Sequence, residues 1–548
     1  MKYLYLVLFL LCSVVSPAKA ATQPLKYRFR VYLSDKGETR YSPDKPEQFL
    51  SEKAIERRIR QNAVIDASDI PISPDYFTLV EKTGAIVVTH SKWLQTLTVQ
   101  VDDSMQIDRV TSLPFVDSVK YVWRGSGRSY RNSIRPRLER IVCAETDSSD
   151  TLFGFAEEQY KIHNAGQLAL AGFRGKGIEV AVIDAGFTNF DVIPYFSSVN
   201  LRGWKNFVPD GDMFSSSDHG TKVVSTMATN QPGLLMGSAP EADYWLLRSE
   251  DVTSEYPVEE DYWVRAVEYA DSLGVDVINS SLGYNHFDDQ LLNYTHADLT
   301  GNVSIMSIAA DMAYEKGMLV VVSSGNEGNK PWQKSTPPGD ARNVLTVGAV
   351  GTDSLISSFS SHGITADGRI KPDLVSVGSL TFTIGQDGLI GMTSGTSLSS
   401  PFLAGLAASL WSINPDLHRS ELVDIILASS DRYALPDSVY GHGIPDFEKA
   451  VTEVLSRLEV EKDTVTEQYF SISRPSQNNL FITLTEPVFS SDAYQVNLLA
   501  ESGRFISAHS FENESLHIVI PTSLRETERF LHLVFISPFT QKTIRIKM

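Results

Sequence analysis

The stretch GMTSGTSLSSPFLAG, from Gly391 to Gly405, decides the fold and the chemistry predicted for this chain. Small residues and a glycine precede Ser397, and a proline with small and apolar residues follows it. The pattern predicts a tight turn that opens into a buried helix, with Pro401 in the first helical turn, where a missing N–H is harmless. Ser397 then faces outward, either as a helix cap or as a nucleophile whose developing negative charge the helix dipole stabilises.

On both sides of this stretch, strands and helices alternate from about Asp150 to Arg457. Helical patterns such as Glu259 to Leu273 and Val303 to Lys316 separate continuous apolar runs, which are typical of strands buried on both faces. The runs are IEVAVID from Ile178, ADYWLLR from Ala242, VDVINSS from Val275, MLVVVSS from Met318 and NVLTVGAV from Asn343. The order predicts an α/β fold with a mainly parallel sheet and helices on both faces. In such a fold, chemistry gathers beyond the carboxyl ends of the strands.

Four polar residues stand at predicted strand ends or helix starts, namely Asp184, His219, Asn326 and Ser397. Taken alone, an Asp after a strand is most often a turn former, and one histidine among eleven is most often structural. Taken together, they are the groups that acyl transfer needs: a nucleophile, a base, a carboxylate that orients the base, and an oxyanion donor. The order Asp, His, Ser is one of the known orders of a catalytic triad.

The sequence around these residues resembles the subtilisin-like serine proteases, peptidase family S8, over Gln159 to Val451. Five motifs carry the resemblance: VAVIDAGF, DHGTKV, DVINSSLG, VVVSSGNEG and SGTSLSSPFLAG. Leu398 and Phe402 differ from the residues most common in the family, and both differences concern packing. The resemblance implies a subtilisin-like fold and a serine endopeptidase that acts on proteins or peptides.

The resemblance also implies a role for each matched residue. Ser397 attacks the scissile carbonyl, His219 takes its proton and passes it to the leaving amine, and Asp184 fixes the histidine tautomer. Asn326 and the backbone N–H of Ser397 hold the oxyanion. Three consecutive residues match the strand that pairs through its main chain with an extended substrate, namely Ser281, Leu282 and Gly283.

The first 20 residues carry a lysine, an apolar run and the small-residue signature Ala18-Lys19-Ala20. This predicts a secretory signal peptide that is cleaved after Ala20. No later stretch reaches the roughly 18 apolar residues of a membrane span. We therefore expect a protein that is secreted or held at the cell surface. Cys143 is the one cysteine left after cleavage, so no intramolecular disulfide is expected.

Residues 21–123 are predicted to form a separate unit. KYRFRVYL indicates a strand, Pro46 to Gln61 a helix, Gly84 to Val101 a strand pair, Ile107 to Leu113 a short helix, and VDSVKYVW a closing strand. This order is typical of a ferredoxin-like sandwich. Together with the family resemblance it implies a propeptide that assists folding and acts as an intramolecular inhibitor until it is removed.

Residues 124–150 join this unit to the catalytic unit, which we place at 151–457. Six arginines lie among residues 124–140 against a single acid, Glu139. They are Arg124, Arg128, Arg131, Arg135, Arg137 and Arg140. A solvated linker and a processing region are compatible interpretations. A nucleic-acid partner is not expected, because the formal net charge of the whole chain is −19.

Residues 458–548 contain short strand-like runs separated by turn signals, such as Leu480 to Leu484 and Phe530 to Ile536. They predict a small antiparallel β-sandwich. The final strand TIRIKM gives this region a faint resemblance to the C-terminal sorting domains of type IX secretion cargo in Bacteroidetes-like bacteria. Two interpretations stay open, a sorting domain that meets a secretion machinery and a plain accessory module.

Substrate preference is suggested by the segment Ser249 to Asp261. It carries six acids, Glu250, Asp251, Glu255, Glu259, Glu260 and Asp261. We hypothesise a mild preference for basic residues on the amino side of the cleaved bond, against the alternative of a solvated loop. The segment Tyr284 to Asn302 is interpreted as an insertion that walls one side of the cleft.

No cofactor is expected for catalysis. The glycine-rich GFRGKG precedes a strand, whereas nucleotide-binding loops follow one. The chain has no HExxH motif and no paired cysteines, so we assign no metal ligand. A structural calcium ion is left open. The alternative function is a catalytically inactive, subtilisin-like binding or scaffold protein.

Overall fold

The computed structural model describes residues 25–126, 151–461, 464–476, 479–485, 494–511, 515–538 and 540–548. The predicted signal peptide and residues 127–150 of the Arg-rich linker lie outside the described residues. Within the described ranges, no helix has the length and apolar character needed to cross a membrane.

The N-terminal unit is a four-stranded antiparallel sheet in the order β2-β3-β1-β4. This is the strand order of a ferredoxin-like sandwich, as the sequence predicts. The elements are β1 (Leu25–Leu33), α1 (Glu52–Arg60), α2 (Pro74–Glu81), β2 (Ile86–Ser91), β3 (Thr96–Val101), α3 (Ile107–Thr111) and β4 (Val116–Ser126).

The helices of this unit differ from the prediction. The single helix expected over Pro46 to Gln61 is wrong, because a short 3-10 turn is followed by a new helix start at Ser51, whose hydroxyl accepts from the Ala54 N–H. Helix α2 was not predicted, since its eight residues are too short to show a helical period. Its start signal, Ser73 before Pro74, was present in the sequence.

The central unit is built on a seven-stranded sheet in the order β15-β12-β11-β10-β5-β9-β6, with every pair parallel. Its strands are β5 (Glu179–Asp184), β6 (Asn200–Asn206), β9 (Asp243–Arg248), β10 (Val277–Ser280), β11 (Leu319–Ser323), β12 (Leu345–Val350) and β15 (Leu374–Val377). Three short hairpins lie outside it: β7 (Asn230–Gln231) with β8 (Leu235–Met236), β13 (Gly363–Ile364) with β14 (Ile370–Lys371), and β16 (Thr381–Ile384) with β17 (Ile390–Thr393).

Helices cover both faces of this sheet, so its core strands are buried on both sides. The helices of the unit are α4 (Glu157–Lys161), α5 (Gly166–Leu170), α6 (His219–Ala228), α7 (Val258–Leu273), α8 (Ile305–Glu315), α9 (Thr396–Trp411), α10 (Arg419–Ser429) and α11 (Phe447–Ser456). One core contains α6 and α9, and the other contains α7 and α8. Nearly every residue of α9 is buried, which fits a sequence made only of apolar and small residues.

The C-terminal unit is a β-sandwich of a five-stranded sheet, β18-β26-β25-β22-β23, and a four-stranded sheet, β19-β20-β21-β24. Its elements are β18 (Val460–Glu461), β19 (Thr464–Thr466), β20 (Phe470–Ser476), β21 (Asn479–Leu484), β22 (Gln495–Leu499), β23 (Phe505–Ser510), β24 (Ser515–Val519), α12 (Thr522–Thr527), β25 (Phe530–Ile536) and β26 (Gln541–Lys547). The pairing is antiparallel as predicted except that β18 runs parallel to β26.

Both flanking units pack directly on the central unit. The sheet of the N-terminal unit turns Arg30 toward α7, where its guanidinium binds Asp261 through two hydrogen bonds of 2.7 and 2.8 Å. Trp93 of the same unit enters the core formed by α7 and α8. On the C-terminal side, Asn497 donates to the carbonyl of Ala171 at 2.9 Å. The three units therefore form one continuous structure.

Candidate active site

Asp184 and His219 meet at the carboxyl end of the central strand. Asp184 is the last residue of β5 and is fully buried, and His219 is the first residue of α6. The Nδ1–H of His219 donates to Oδ1 of Asp184 at 2.8 Å, and the N–H of Ala185 donates to the same oxygen at 2.8 Å. The contact fixes the tautomer of His219 and turns its Nε2 away from the carboxylate.

The protonation of His219 reflects this carboxylate. Burial lowers the pKa of the imidazole, but the charge and hydrogen bond of Asp184 outweigh burial and raise the pKa to about 9. Glu250 and Asp218 add smaller contributions in the same direction. An imidazolium at this position is therefore strongly stabilised.

Ser397 lies in the first turn of α9, and its side chain is partly exposed, as the sequence predicts. It is not the helix cap, because Gly395 occupies that position without a side-chain hydrogen bond. The prediction for Pro401 is wrong: the helix begins at Thr396, so the proline lies in the second turn. The missing N–H of Pro401 leaves the carbonyl of Ser397 without its helical partner, and the hydroxyl of Ser281 donates to that carbonyl at 3.0 Å.

Asn326 lies just beyond β11 and is held by the start of α9. Its Oδ1 accepts from the N–H of Thr396 at 3.0 Å and from the Thr396 hydroxyl at 3.1 Å. These two bonds leave Nδ2 as the donor that faces away from Thr396. A methyl group built on Gly395 would lie 3.7 Å from this Nδ2 and 3.5 Å from Oγ of Ser397. The amide donor and the hydroxyl therefore border one small space beside Gly395.

The first turn of α9 leaves one main-chain donor for this space. The N–H of Thr396 is bound by Asn326, and the N–H of Leu398 donates to the carbonyl of Gly395 at 3.1 Å. For the Ser397 N–H between them, no hydrogen bond with a described residue is present. Unpaired N–H groups at a helix start carry partial positive charge and suit a developing anion.

One cleft of about 410 Å³ joins these groups. Six of the seven predicted site residues line it, and the seventh, Asp184, lies buried beneath His219. The six are His219, Ser281, Leu282, Gly283, Asn326 and Ser397. Between the hydroxyl of Ser397 and the imidazole of His219, which are both described, no hydrogen bond is present. Catalytic contacts of this kind often tighten only when a substrate binds.

The segment that follows β10 forms one wall of the cleft. Among the described residues, Leu282 and Gly283 form no main-chain hydrogen bond, whereas the next residue, Tyr284, donates to the carbonyl of Pro337 at 3.1 Å. Gly283 packs so closely against Thr336 that a methyl group at this position would lie 2.2 Å from its hydroxyl oxygen. The segment thus offers a fixed, unpaired edge to an extended chain.

The acidic segment Ser249 to Asp261 is divided by the structure. Helix α7 begins at Val258, and its first turn contains Glu259, Glu260 and Asp261. The three carboxylates are buried, and each one takes part in a hydrogen bond or an ion pair. Of the six acids, Glu250 is the one that lines the cleft. The sequence predicts this helix from Glu259, but it does not show the burial of Glu260 and Asp261, because their partners Tyr294, Ser304 and Arg30 lie far along the chain.

Asn285, in the segment interpreted as an insertion, also lines the cleft. The sequence pattern indicated the segment Tyr284 to Asn302 as a wall of the cleft, but it did not indicate Asn285. No group of three His, Cys, Asp or Glu side chains suited to a metal ion occurs in the described part of the chain. Structural calcium therefore stays a prediction without an assigned site.

Comparison with known proteins defines the class of the chain. The model of the subtilase family, Peptidase S8, matches residues 175–443. The model of the Bacteroidota Peptidase S8 propeptide domain matches residues 28–135. Subtilisin E of Bacillus subtilis (strain 168) is 30% identical over 339 residues, which cover 59% of this chain and 81% of that protein. The chain therefore belongs to the subtilase family and is a subtilisin-like serine endopeptidase with an N-terminal propeptide domain.

Other relatives and solved structures agree with this assignment. Serine protease AprX of Bacillus subtilis (strain 168) is 28% identical over 312 residues, which cover 50% of this chain and 66% of that protein. The crystal structure of the epidermin leader peptide processing serine protease from Staphylococcus aureus aligns with a TM-score of 0.54 and 18% identity. The alignment covers 80% of this chain and 100% of that one, and it supports the fold. An inactive scaffold protein finds no support among these relatives.

Proposed function

We propose that the chain is a secreted serine endopeptidase that is made as a zymogen and hydrolyses peptide bonds through Asp184, His219 and Ser397. The observation that supports it most strongly is the 2.8 Å hydrogen bond from His219 to buried Asp184 beside a cleft that contains Ser397 and Asn326. These four groups supply the base, its orienting carboxylate, the nucleophile and an oxyanion donor.

In the first half of the reaction, Oγ of Ser397 attacks the carbonyl carbon of the scissile bond as its proton passes to Nε2 of His219. The carbonyl oxygen becomes an oxyanion, which accepts hydrogen bonds from Nδ2 of Asn326 and the N–H of Ser397. Asp184 stays ionised and stabilises the imidazolium. The intermediate then collapses: the C–N bond breaks, the amine leaves with the proton from Nε2, and an acyl ester remains on Ser397.

In the second half, water takes the place of the amine. Nε2 of His219 accepts a proton as the water oxygen attacks the ester, and the oxyanion forms again in the same space beside Gly395. Collapse returns the proton to Oγ of Ser397 and releases the carboxylic acid. In this proposed mechanism, the chain's own residues carry each proton transfer and stabilise the oxyanion.

Single substitutions test these roles on a quenched fluorescent peptide. Ser397→Ala and His219→Ala should each reduce kcat by about four orders of magnitude or more. Asn326→Leu should reduce kcat on the order of 100- to 1,000-fold with a smaller change in KM, because its donor acts on the oxyanion. Wild-type kcat in the Ser397→Ala protein, after purification free of other proteases, would contradict the proposal.

We also propose that the enzyme removes its own N-terminal unit by cutting within the Arg-rich residues 124–150. The unit packs against α7 through the buried pair of Arg30 and Asp261, which holds it on the catalytic unit. The Ser397→Ala precursor should remain uncut when purified alone. A precursor of this variant that still loses its N-terminal unit would exclude autoprocessing.

Export is proposed on the sequence of the first 20 residues, with cleavage after Ala20. The C-terminal sandwich is proposed as a sorting domain for a secretion machinery. N-terminal sequencing of the protein exported by its native host, together with export of a chain truncated after Arg457, tests both proposals. Unchanged export of the truncated chain would leave the sandwich an accessory module.

A further inference from the structure

Glu250 is a carboxylate on the wall of the cleft that the proposed reaction does not use. It follows β9 by two residues, is partly buried, and lines the same cleft as His219 and Ser397. Its carboxylate forms no hydrogen bond and no ion pair with any residue that the structure describes. A carboxylate that is partly withdrawn from water without a partner is unfavourable, so a cation that enters the cleft would be bound there.

Other acidic groups lie near Glu250. Burial and the charge of Asp184 raise the pKa of Glu250 above its ordinary value, although His219 and Arg248 act in the opposite direction. Burial raises the pKa values of Glu255 and Glu259, and the nearby charge of Glu250 adds a smaller contribution in the same direction. The Tyr284 hydroxyl, near the same glutamates, is buried without a hydrogen-bond partner among the described residues.

Glu250 differs from the second carboxylate of the cleft lining. Glu327 is the other carboxylate that lines the cleft, and it forms an ion pair of 2.7 Å with Lys330. Its charge is therefore already matched by the chain itself. A basic side chain of a substrate would gain more at Glu250 than at Glu327.

The side of the scissile bond follows from the N-terminal unit. Strand β4 ends at Ser126 beside the loop that follows Glu250, where Trp123 donates to the hydroxyl of Ser254 at 3.3 Å and packs with Tyr256. When the chain is cut after β4, as proposed above, the part that precedes the cut bond is the part joined to β4, so we assign this wall to the amino side of the bond. The sequence that follows Ser126 is rich in arginine, so its charge is complementary to that wall.

Resting on the proposed function, we propose that Glu250 is a specificity-determining residue that binds a lysine or arginine side chain on the amino side of the scissile bond. The substrate class is then a basic peptide segment, and residues 124–140 of the chain belong to that class. Because the guanidinium or ammonium group replaces water at a desolvated carboxylate, the hydrogen bond is charge-assisted and strong.

The test compares pairs of quenched fluorescent peptides that differ only by arginine or citrulline at one of the four positions before the cut bond. Citrulline keeps the shape of arginine and lacks its charge. At one of these positions the wild-type enzyme should show a ratio of kcat/KM, arginine over citrulline, of about 10 to 100. Arginine after the bond should give a ratio near one.

Variants assign the ratio to Glu250. Glu250→Gln should bring the ratio to within about threefold of one, and Glu250→Lys should prefer glutamate over glutamine at the same position. Glu327→Gln is the matched control, and it should keep the wild-type ratio. Glu250 also affects the pKa of His219. The resulting change in kcat/KM is the same for both peptides of a pair, so it cancels in the ratio.

Labelling with a fluorophosphonate separates the two proposals. If the processed wild-type protein is neither labelled nor able to cut any peptide, the proposed function fails and this inference fails with it. If it is labelled and cuts peptides with a ratio near one at all four positions, the inference alone is overturned. A ratio that Glu250→Gln and Glu250→Lys leave unchanged, in proteins that are labelled, also overturns the inference.

Discussion

Ser281 donates a hydrogen bond of 3.0 Å to the carbonyl of Ser397. This carbonyl has no donor within the helix because Pro401 lacks an N–H. In a helix, this carbonyl would accept from the N–H four residues later, which proline lacks. The residue predicted to pair with substrate is thus tied to the candidate nucleophile. Asn279 extends the link, since it donates to the Ser281 hydroxyl at 3.2 Å and accepts from Ser400 at 2.8 Å.

Substitution of Ser281 tests this link. Ser281→Ala removes the donor and leaves a partly buried carbonyl unpaired, so the free energy of unfolding should fall by about 1 kcal/mol. The added substitution Pro401→Ala supplies an N–H to the same carbonyl. In urea unfolding of the Ser397→Ala chain, the double variant should recover most of the loss, and two losses that simply add would contradict the account.

The pH dependence of the reaction follows from His219. A general base must be neutral, and the pKa of His219 is raised to about 9 by Asp184 against the opposing effect of burial. The value of kcat/KM should therefore rise with pH and approach its plateau only at alkaline pH. In Asp184→Asn the raising charge is lost and burial dominates, so the inflection should move to lower pH while the rate falls on the order of 10,000-fold.

The measurement is a pH profile of kcat/KM on a neutral peptide, with stability checked across the same pH range. An inflection of the wild-type profile below about pH 6.5, the ordinary value of histidine, would contradict the assigned environment. A shift to higher pH in Asp184→Asn would contradict it as well.

At the scale of elements, the strands next to the site were predictable because a parallel strand buried on both faces must be continuously apolar. The five predicted runs correspond to β5, β9, β10, β11 and β12, to within two residues at each end. Edge strand β6 was missed because its sequence, NLRGWKN, is polar and exposed. The predicted start of α9 was also too late, because Pro401 was expected in its first turn. Asn326 accepts a hydrogen bond from Thr396 at the true start of the helix, and no local sequence pattern shows a contact between residues 70 positions apart.

Helix α7 is the element on which the N-terminal unit rests, and its carboxylates are matched by arginines of that unit. Arg30 and Asp261 form a pair whose side chains are only 1% and 3% exposed. Glu260 lies 3.5 Å from the same guanidinium. Removal of one partner leaves buried charges without compensation, which costs far more than the pair itself contributes.

Arg30→Ala should therefore lower the free energy of unfolding of the full-length Ser397→Ala chain by about 3 to 5 kcal/mol in the transition that releases the N-terminal unit. Lys26→Ala is the matched control, because its pair with Asp102 on the same unit spans 3.6 Å and is largely exposed. The control should change this free energy by less than about 1 kcal/mol. Equal effects of both substitutions in urea unfolding would contradict the account.

At the scale of the whole molecule, the cleft belongs to the central unit, and the flanking units pack against that unit. Every described residue that lines the cleft lies between Ala185 and Ser397. The N-terminal unit is attached to α7 and α8, and the C-terminal sandwich to α5 and α11. Three units could be predicted from the sequence because the spacing of apolar residues changes from one unit to the next. The contacts between units were not, since buried pairs such as Arg30 and Asp261 join residues far apart in the chain.

The central claim is that Ser397 is a nucleophile activated by His219. Fluorophosphonate labelling of the processed wild-type chain, with the modified peptide mapped by mass spectrometry, tests it most directly. The account predicts one covalent adduct per chain on Ser397, at least 100-fold slower labelling in His219→Ala, and no adduct in Ser397→Ala. An adduct on another residue, or no adduct on correctly processed protein, would contradict it.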